Sequence, residues 1–126
     1  MSVQEAVAER PSGSGARRLQ VMGQSTVVQY ERGGVRVIGA RGSYDMDSTA
    51  HLADALAAAA ENHTTIVLDA SGITFADSAL LNVLILTHQS ADLRVAAPTE
   101  QLRQLLRITG ADTVLKVAAT VEKAAA

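Results

Sequence analysis

An acid–hydroxyl pair, Asp77 and Ser78, stands immediately before a dense apolar run in the sequence. Such a pair is compatible with three kinds of chemistry. Asp and Ser are preferred residues at helix N-caps, and a serine beside a base can act as a nucleophile. An exposed serine at a helix start can also accept a phosphoryl group, which adds about 1.5 to 2 negative charges. A cap, a nucleophile and a phosphoacceptor each require different residues around the serine.

The catalytic alternative lacks its usual neighbours. Ser78 is not embedded in the G-x-S-x-G pattern of a nucleophile elbow. His88 follows ten residues later in the same predicted helix, about 15 Å along the axis, which is beyond hydrogen-bond reach. His51 or His63 could approach Ser78 in space, so a small enzyme is kept as a third hypothesis. We expect the chain not to be an enzyme.

Metal and cofactor sites are not predicted. The three histidines have no metal-ligand spacing, and there is no H-E-x-x-H motif and no cysteine. The glycines in the PSGSG segment lack the G-x-x-x-x-G-K-[ST] and G-x-G-x-x-G spacings of phosphate-binding loops. We therefore expect no cofactor.

Composition argues against several classes of partner. The formal net charge is -2 and aromatic residues make up 2% of the chain, so neither nucleic acid nor a membrane is expected as a partner. Polar residues, among them Asp77, Asn82 and His88, interrupt the apolar run over residues 73–91 and make it a poor membrane span. The absence of cysteine and of a signal-peptide h-region predicts a cytoplasmic protein.

Hydrophobic patterning indicates the elements that would position the pair. Residues 1–18, which include a Pro/Gly/Ser cluster, are predicted to be a flexible tail, and residues 19–126 to be one domain. Gly33 and Gly34 lie between two β-rich segments and predict a hairpin. An alanine-rich helix follows, for which Asp47 or Ser48 is the predicted N-cap.

The remaining segments alternate between strand and helix patterns. Strands are predicted near residues 65–68, 93–97 and 113–117, and the helices between them start after Asp77 and at residue 99, the second ending at Gly110. The predicted order is β-β-α-β-α-β-α-β, and the sequence is compatible with a short closing helix or with none. Such alternation is typical of an α/β fold with a mixed, mostly parallel sheet.

The residues around the pair resemble a known family. DASGITFADS, residues 69–78, is similar to the D-x-S-x-x-x-F-x-D-S signature of STAS domains, and most closely to that of bacterial anti-sigma factor antagonists. RGSYD, residues 41–45, resembles the family's G-E-x-D segment, and LLRITG, residues 105–110, its third helix. The resemblance covers about residues 25–123 and implies a STAS-like single domain with helices on one side of the sheet.

The resemblance also implies a function. In these antagonists the unphosphorylated form captures an anti-sigma factor that is also a serine kinase, which frees the sigma factor for transcription, and phosphorylation of the serine ends the capture. The implied phosphoacceptor is Ser78, and a phosphatase is a possible further partner. The chain would be a monomer or a weak homodimer. The expected partner-binding residues are Ser43, Tyr44, Asp45, Asp47, Ser48, Asp77, Ala79, Leu80 and Asn82.

Departures from the family pattern keep a second hypothesis open. Ala79 and Leu80 replace Ser/Thr and Gly, and Ser43 replaces the usual Glu. Ala79 leaves Ser78 as the sole acceptor in the motif. Leu80 either blocks close approach to the backbone or supplies an apolar contact. The alternative is a STAS-like scaffold or sensor that binds proteins without being phosphorylated.

Overall fold

The structure is a computed structural model that describes residues 18–22 and 25–126. The predicted tail, apart from Arg18, therefore lies outside the described residues.

A single sheet of six strands runs through the described part of the chain in the spatial order of the sequence. The strands are β1 (Arg18–Met22), β2 (Ser25–Arg32), β3 (Val35–Tyr44), β4 (Thr65–Ala76), β5 (Asp92–Ala96) and β6 (Lys116–Ala118). Strands β1 to β3 pair antiparallel, and β3 to β6 pair parallel. The predicted α/β fold with a mixed sheet is confirmed, and β1 is an additional strand that the patterning did not predict.

The helices connect the parallel strands. They are α1 (Met46–Asn62), α2 (Ser78–Ser90), α3 (Glu100–Thr109) and the closing α4 (Val121–Ala125). A 3-10 turn over Ala111–Thr113 follows the left-handed Gly110. This turn occupies the start of the segment predicted as the last strand, so that strand begins later than predicted.

The hairpin between β2 and β3 has the predicted turn. Arg32 pairs with Val35, and Gly33 and Gly34 between them have φ angles of 60° and 84°. Positive φ at both central residues is the geometry that matches the twist of the flanking strands. A side chain at either position would strain the backbone.

The two faces of the sheet are covered by different helices. On the face called here the helical face, Ile66 and Leu68 of β4 pack in the main core with leucines of α1, α2 and α3. Val67, between them in sequence, points the other way, since side chains alternate along a strand. It packs with Val37 and with Ala124 of α4 in a second, smaller cluster. Three helices thus share one side, and the short α4 covers the other.

Arg94 fastens α4 to the sheet. Its Nη1 donates to the carbonyl oxygen of Ala124 at 2.7 Å, and its Nη2 lies 2.9 Å from Oδ2 of Asp92. Lys116 Nζ lies 2.9 Å from the other oxygen of Asp92. Hydrogen bonds from Lys116 and Arg94 lower the pKa of Asp92 below its usual value. Charged side chains therefore join β5, β6 and α4.

Candidate partner-binding site

The candidate site lies where neighbouring parallel strands end. Tyr44, the last residue of β3, pairs in register with Ala76, the last residue of β4. Adjacent strands are about 4.8 Å apart, so the residues that follow, Asp45 and Asp77, emerge side by side. Each precedes a helix, which places the N-termini of α1 and α2 together. We call this end of the sheet the carboxyl edge.

Asp77 is the N-cap of α2. Its Oδ1 accepts a hydrogen bond from the backbone N of Ala79 at 2.9 Å, and its carbonyl oxygen accepts from the N of Leu81 at 3.2 Å. Ser78 is the first residue of the helix and is exposed. Within the described residues no group hydrogen-bonds the Ser78 hydroxyl. Since the carboxylate supplies the cap, the hydroxyl of the pair remains accessible.

Asp45, and not the predicted Asp47 or Ser48, caps α1. The backbone N of Ser48 donates to Oδ1 of Asp45 at 3.1 Å, and the backbone N of Asp45 donates to Oγ of Ser48 at 3.1 Å. This reciprocal pair is a capping box. The Ser48 hydroxyl also lies 3.1 Å from the carbonyl oxygen of Ser43. The N-cap prediction was wrong by two or three positions because Ser48 serves at the third helical position, and Asp47 is the second residue of α1.

Gln101 is a positioning residue that sequence reasoning missed. Its side-chain amide receives a hydrogen bond from the N of Ala76 and donates one to the O of Ala76, both at 3.2 Å. Strand β5 pairs with β4 only over its first five residues, Thr65 to Asp69. The amide of Gln101 therefore supplies, at Ala76, the partner that β5 no longer provides. Nothing in the sequence distinguishes Gln101 from other polar residues of α3.

The first part of the signature has a structural role. Oδ1 of Asp69 accepts hydrogen bonds from the N of Ser71 at 3.1 Å and from its Oγ at 2.8 Å. The β3–β4 register shifts at this place. A Cβ on Gly72 would lie 2.6 Å from Cγ of Arg41, so this position requires glycine. These residues shape the bulge that carries β4 to the carboxyl edge.

Two predicted partner contacts are corrected by their burial. Tyr44 and Leu80 have no exposed surface, so neither can contact a docked protein. Tyr44 points into the main core, its hydroxyl donates to the carbonyl oxygen of Thr26 at 2.8 Å, and burial raises its pKa to about 12. Leu80 packs in the same core beneath α2.

The other predicted contact residues reach the surface to different extents. Asp45, Ser78 and Asn82 are exposed. Intermediate exposure is found at Ser43, Ser48, Asp77 and Ala79. Phe75, which was not predicted as a contact, is 46% exposed and pairs with Ser43 across β3 and β4.

None of the three histidines forms a hydrogen bond with Ser78 in the described part of the chain. Nε2 of His63 lies 2.7 Å from Oε2 of Glu31, and Nδ1 of His88 accepts from the N of Leu93 at 3.3 Å. Both residues lie at the C-terminal ends of their helices, opposite the carboxyl edge. His51 is exposed on α1, and no hydrogen bond joins it to Ser78 in the described structure.

The described residues contain neither a metal-binding cluster nor a membrane-spanning helix. No group of three or more His, Cys, Asp and Glu side chains in residues 18–22 and 25–126 is arranged to hold a metal ion. Among the described helices, none has both the length and the apolar character needed to cross a membrane.

Most of the chain matches one family model. Residues 28–117 match the family model described as "Mlab, STAS domain". The chain belongs to the STAS domain family. The match runs from β2 into β6 and includes the whole carboxyl edge of this STAS domain. No curated protein matches the chain.

Solved structures share the STAS fold. An anti-sigma factor antagonist from Mycobacterium paratuberculosis is 24% identical, with a TM-score of 0.72 over 79% of this chain and 90% of that one. The anti-sigma factor antagonist SpoIIAA in its unphosphorylated form is 17% identical, with a TM-score of 0.63 over 86% and 92%. The phosphorylated form of the Bacillus cell fate determinant SpoIIAA is also 17% identical, with a TM-score of 0.58 over 86% and 96%. At these identities the likeness establishes the fold.

Proposed function

We propose that this STAS protein is a cytoplasmic anti-sigma factor antagonist whose binding to an anti-sigma factor with serine kinase activity is ended by phosphorylation of Ser78. The observation that carries the proposal is the exposed, uncommitted hydroxyl of Ser78 at the first position of α2. The fold that the chain shares with antagonists, one of them also known in a phosphorylated form, supports it. The chain would act by binding, without catalysis of its own.

Phosphorylation at this position would change the surface and leave the fold intact. The added charge of about -1.5 to -2 would lie at a helix N-terminus, where the helix dipole and free backbone amides tolerate anions. A docked protein would have to remove water from this dianion, at a high cost in free energy. The carboxylates of Asp45 and Asp77 beside it add to the negative potential.

The burial of Leu80 weighs against the scaffold or sensor that is never phosphorylated. That hypothesis depended partly on Leu80 standing at the surface and blocking access to the backbone near Ser78. In the fold Leu80 points into the core, and the exposed side chain on the next turn is Asn82. The replacement of glycine by leucine therefore leaves the approach to the Ser78 hydroxyl open.

The decisive experiment combines the purified chain with purified anti-sigma factors of the serine-kinase class from the same organism and Mg-ATP. Peptide mapping by tandem mass spectrometry is expected to place a single phosphoryl group on Ser78. Ser78→Ala should bind the kinase and stay unmodified, and the phosphorylated chain should bind at least about tenfold more weakly, which corresponds to about 1.4 kcal/mol.

A matched control is available on the same helix. Ser90 is exposed at the far end of α2, and Ser90→Ala should be phosphorylated and should bind like the wild type. Phosphate on another residue would refute the assignment of Ser78. A phosphorylated chain that still binds the kinase as tightly as the unmodified chain would favour the scaffold hypothesis.

A further inference from the structure

Charge is distributed unevenly along the chain. Residues 42–93, which include α1, α2 and the turn carrying Ser78, contain seven acidic residues and no Lys or Arg. All 11 Lys and Arg residues lie outside this segment. The elements that carry the proposed interface, α1, α2 and the turn with Ser78, therefore contribute acidic side chains and no basic ones.

Two of these acids, Asp45 and Asp77, lie at the proposed interface, and Asp54 and Glu61 follow along α1 away from it. Asp45, Asp54 and Glu61 are exposed, and Asp77 is partly exposed. Asp45 and Asp77 use carboxylate oxygens as helix caps and remain available for long-range attraction, because capping does not neutralise the charge. Asp54 and Glu61 extend the negative potential along α1. Complementary potentials favour a partner surface that carries Lys and Arg.

Phe75 provides an apolar centre for the same surface. It is the single phenylalanine of the sequence and is 46% exposed at the end of β4. Ser78 follows three positions later in the sequence, so the two Cα atoms are at most about 11 Å apart. Its cross-strand neighbour is Ser43, which is one of the predicted contact residues.

The backbone beneath Phe75 is held in place before any partner arrives. The next residue, Ala76, pairs with Tyr44 on one side and with the side-chain amide of Gln101 on the other. An aromatic side chain on a fixed backbone loses little conformational freedom when a partner covers it. Exposed, preorganised aromatic residues at the centre of an interface commonly dominate its binding energy.

We propose that Phe75 is the apolar anchor of the interface and that its partner presents an apolar pocket rimmed by Lys and Arg. The inference rests on the proposed function, since it describes the partner face of the same site. It also explains why the partner would dissociate when Ser78 is phosphorylated, although a rim of Lys and Arg attracts negative charge. The phosphoryl group on Ser78 would lie beside the dry centre around Phe75, where a dianion cannot be solvated, and not at the rim where the basic residues stand.

Binding of the purified anti-sigma kinase to wild type and variants tests the anchor. Phe75→Ala should weaken binding by at least about tenfold, and Phe75→Tyr should retain most of the affinity. Ile108→Ala is the control, since Ile108 is 80% exposed on α3, and it should bind within about twofold of wild type. Equal binding by Phe75→Ala and wild type would overturn the inference and leave the proposed function standing.

Salt dependence tests the basic rim. The association rate of the wild type should fall as sodium chloride rises from about 50 to 500 mM, and it should fall less steeply for Asp54→Asn. An association rate that is independent of salt would overturn the inference that Lys and Arg surround the partner's pocket. If the kinase does not bind wild type at all, the proposed function fails and the inference fails with it.

Photo-crosslinking keeps the test valid if Phe75→Ala does not fold. Benzoylphenylalanine at position 75 preserves the aromatic side chain and should crosslink to apolar residues of the kinase near Lys or Arg. The same probe at position 108 should give no such product. Crosslinks from position 108 alone would contradict the anchor, and crosslinks from position 75 to an acidic surface of the kinase would contradict the rim.

Discussion

The side-chain amide of Gln101 forms two hydrogen bonds with the backbone of Ala76, one to its N and one to its O, each 3.2 Å long. Ala76 immediately precedes the Asp77 cap and Ser78. A side chain of α3 thus fixes the backbone from which α2 starts, in the way that a neighbouring strand would.

Gln101→Ala should remove both bonds and leave the peptide groups of Ala76 without this partner. We expect the free energy of unfolding to fall by about 1–2 kcal/mol, measured by urea denaturation. Gln104→Ala is the matched control, because its side chain forms only an exposed bond to Glu100 at 3.4 Å. Its effect should stay within about 0.5 kcal/mol. Equal stabilities of the two variants would show that the Gln101 bonds do not stabilise the fold.

The Asp77 cap can be separated from its charge. Asp77→Ala should lower the free energy of unfolding by about 1 kcal/mol, since the amide of Ala79 loses its acceptor. Asp77→Asn should be nearly as stable as wild type, because asparagine is an equally good cap. Thermal and urea unfolding of both variants would check this. A loss of similar size in Asp77→Asn would mean that the charge, and not the hydrogen bond, stabilises the helix.

Negative charge at the two ends of α2 should have different effects on stability. Ser78→Asp should leave the free energy of unfolding within about 0.5 kcal/mol of wild type, since attraction to the helix N-terminus offsets repulsion from Asp77. Ser90→Asp places the charge at the C-terminus of the helix and should lower the stability by about 0.3–1 kcal/mol. Urea denaturation at low ionic strength measures both. Unfolding of Ser78→Asp under native conditions would contradict a switch that acts only on binding.

Stability should depend on pH through Asp92. Because hydrogen bonds from Lys116 and Arg94 lower the pKa of its carboxyl group in the folded state, the unfolded chain takes up a proton first as the pH falls. The stabilisation is therefore complete above the unfolded pKa of about 3.9 and is lost as the pH falls through the lower folded pKa.

Asp92→Asn should accordingly be less stable than wild type at pH 7, and the difference should shrink in strong acid. For partly exposed pairs we expect no more than about 1 kcal/mol. Urea unfolding at intervals between about pH 2 and pH 7 gives the profile. Asp112→Asn, an exposed position in the 3-10 turn, serves as the control at pH 7. A constant difference between Asp92→Asn and wild type at all pH values would contradict the charge pairing.

Local signals made much of this fold predictable. The hairpin turn requires two adjacent residues with positive φ. Glycine adopts positive φ readily, so the Gly33-Gly34 pair predicted the turn that the structure shows. The alternation of β-branched and helix-forming segments predicted the parallel sheet, and the signature around Ser78 predicted the family and the position of the candidate site.

Features that depend on tertiary contacts were not predictable in the same way. Gln101 reaches Ala76 across 25 residues of sequence, and an amide on α3 gives no sign of such a partner. Strand β1 follows the polar Pro/Gly/Ser cluster in the sequence, and its five residues are too few to give a clear hydrophobic alternation. Its pairing with β2 became visible only in the sheet.

The errors in the predicted contact set have a geometrical cause. A sequence motif places residues near one another without giving the direction of each side chain. Tyr44 ends a strand on the side that faces the helices, and Leu80 shares a helix face with Leu84, so both point into the main core. Ser78 and Asn82 lie on the exposed side of α2.

The placement of α4 behind the sheet offers a practical way to orient the molecule. Lys123 is exposed on α4, on the face opposite α1 and α2, and the sequence has no cysteine. A Lys123→Cys variant would therefore carry a single thiol through which the protein could be tethered to a sensor chip or given a fluorophore. Molecules attached in this way would present Ser78 and Phe75 toward the solution, all in the same orientation.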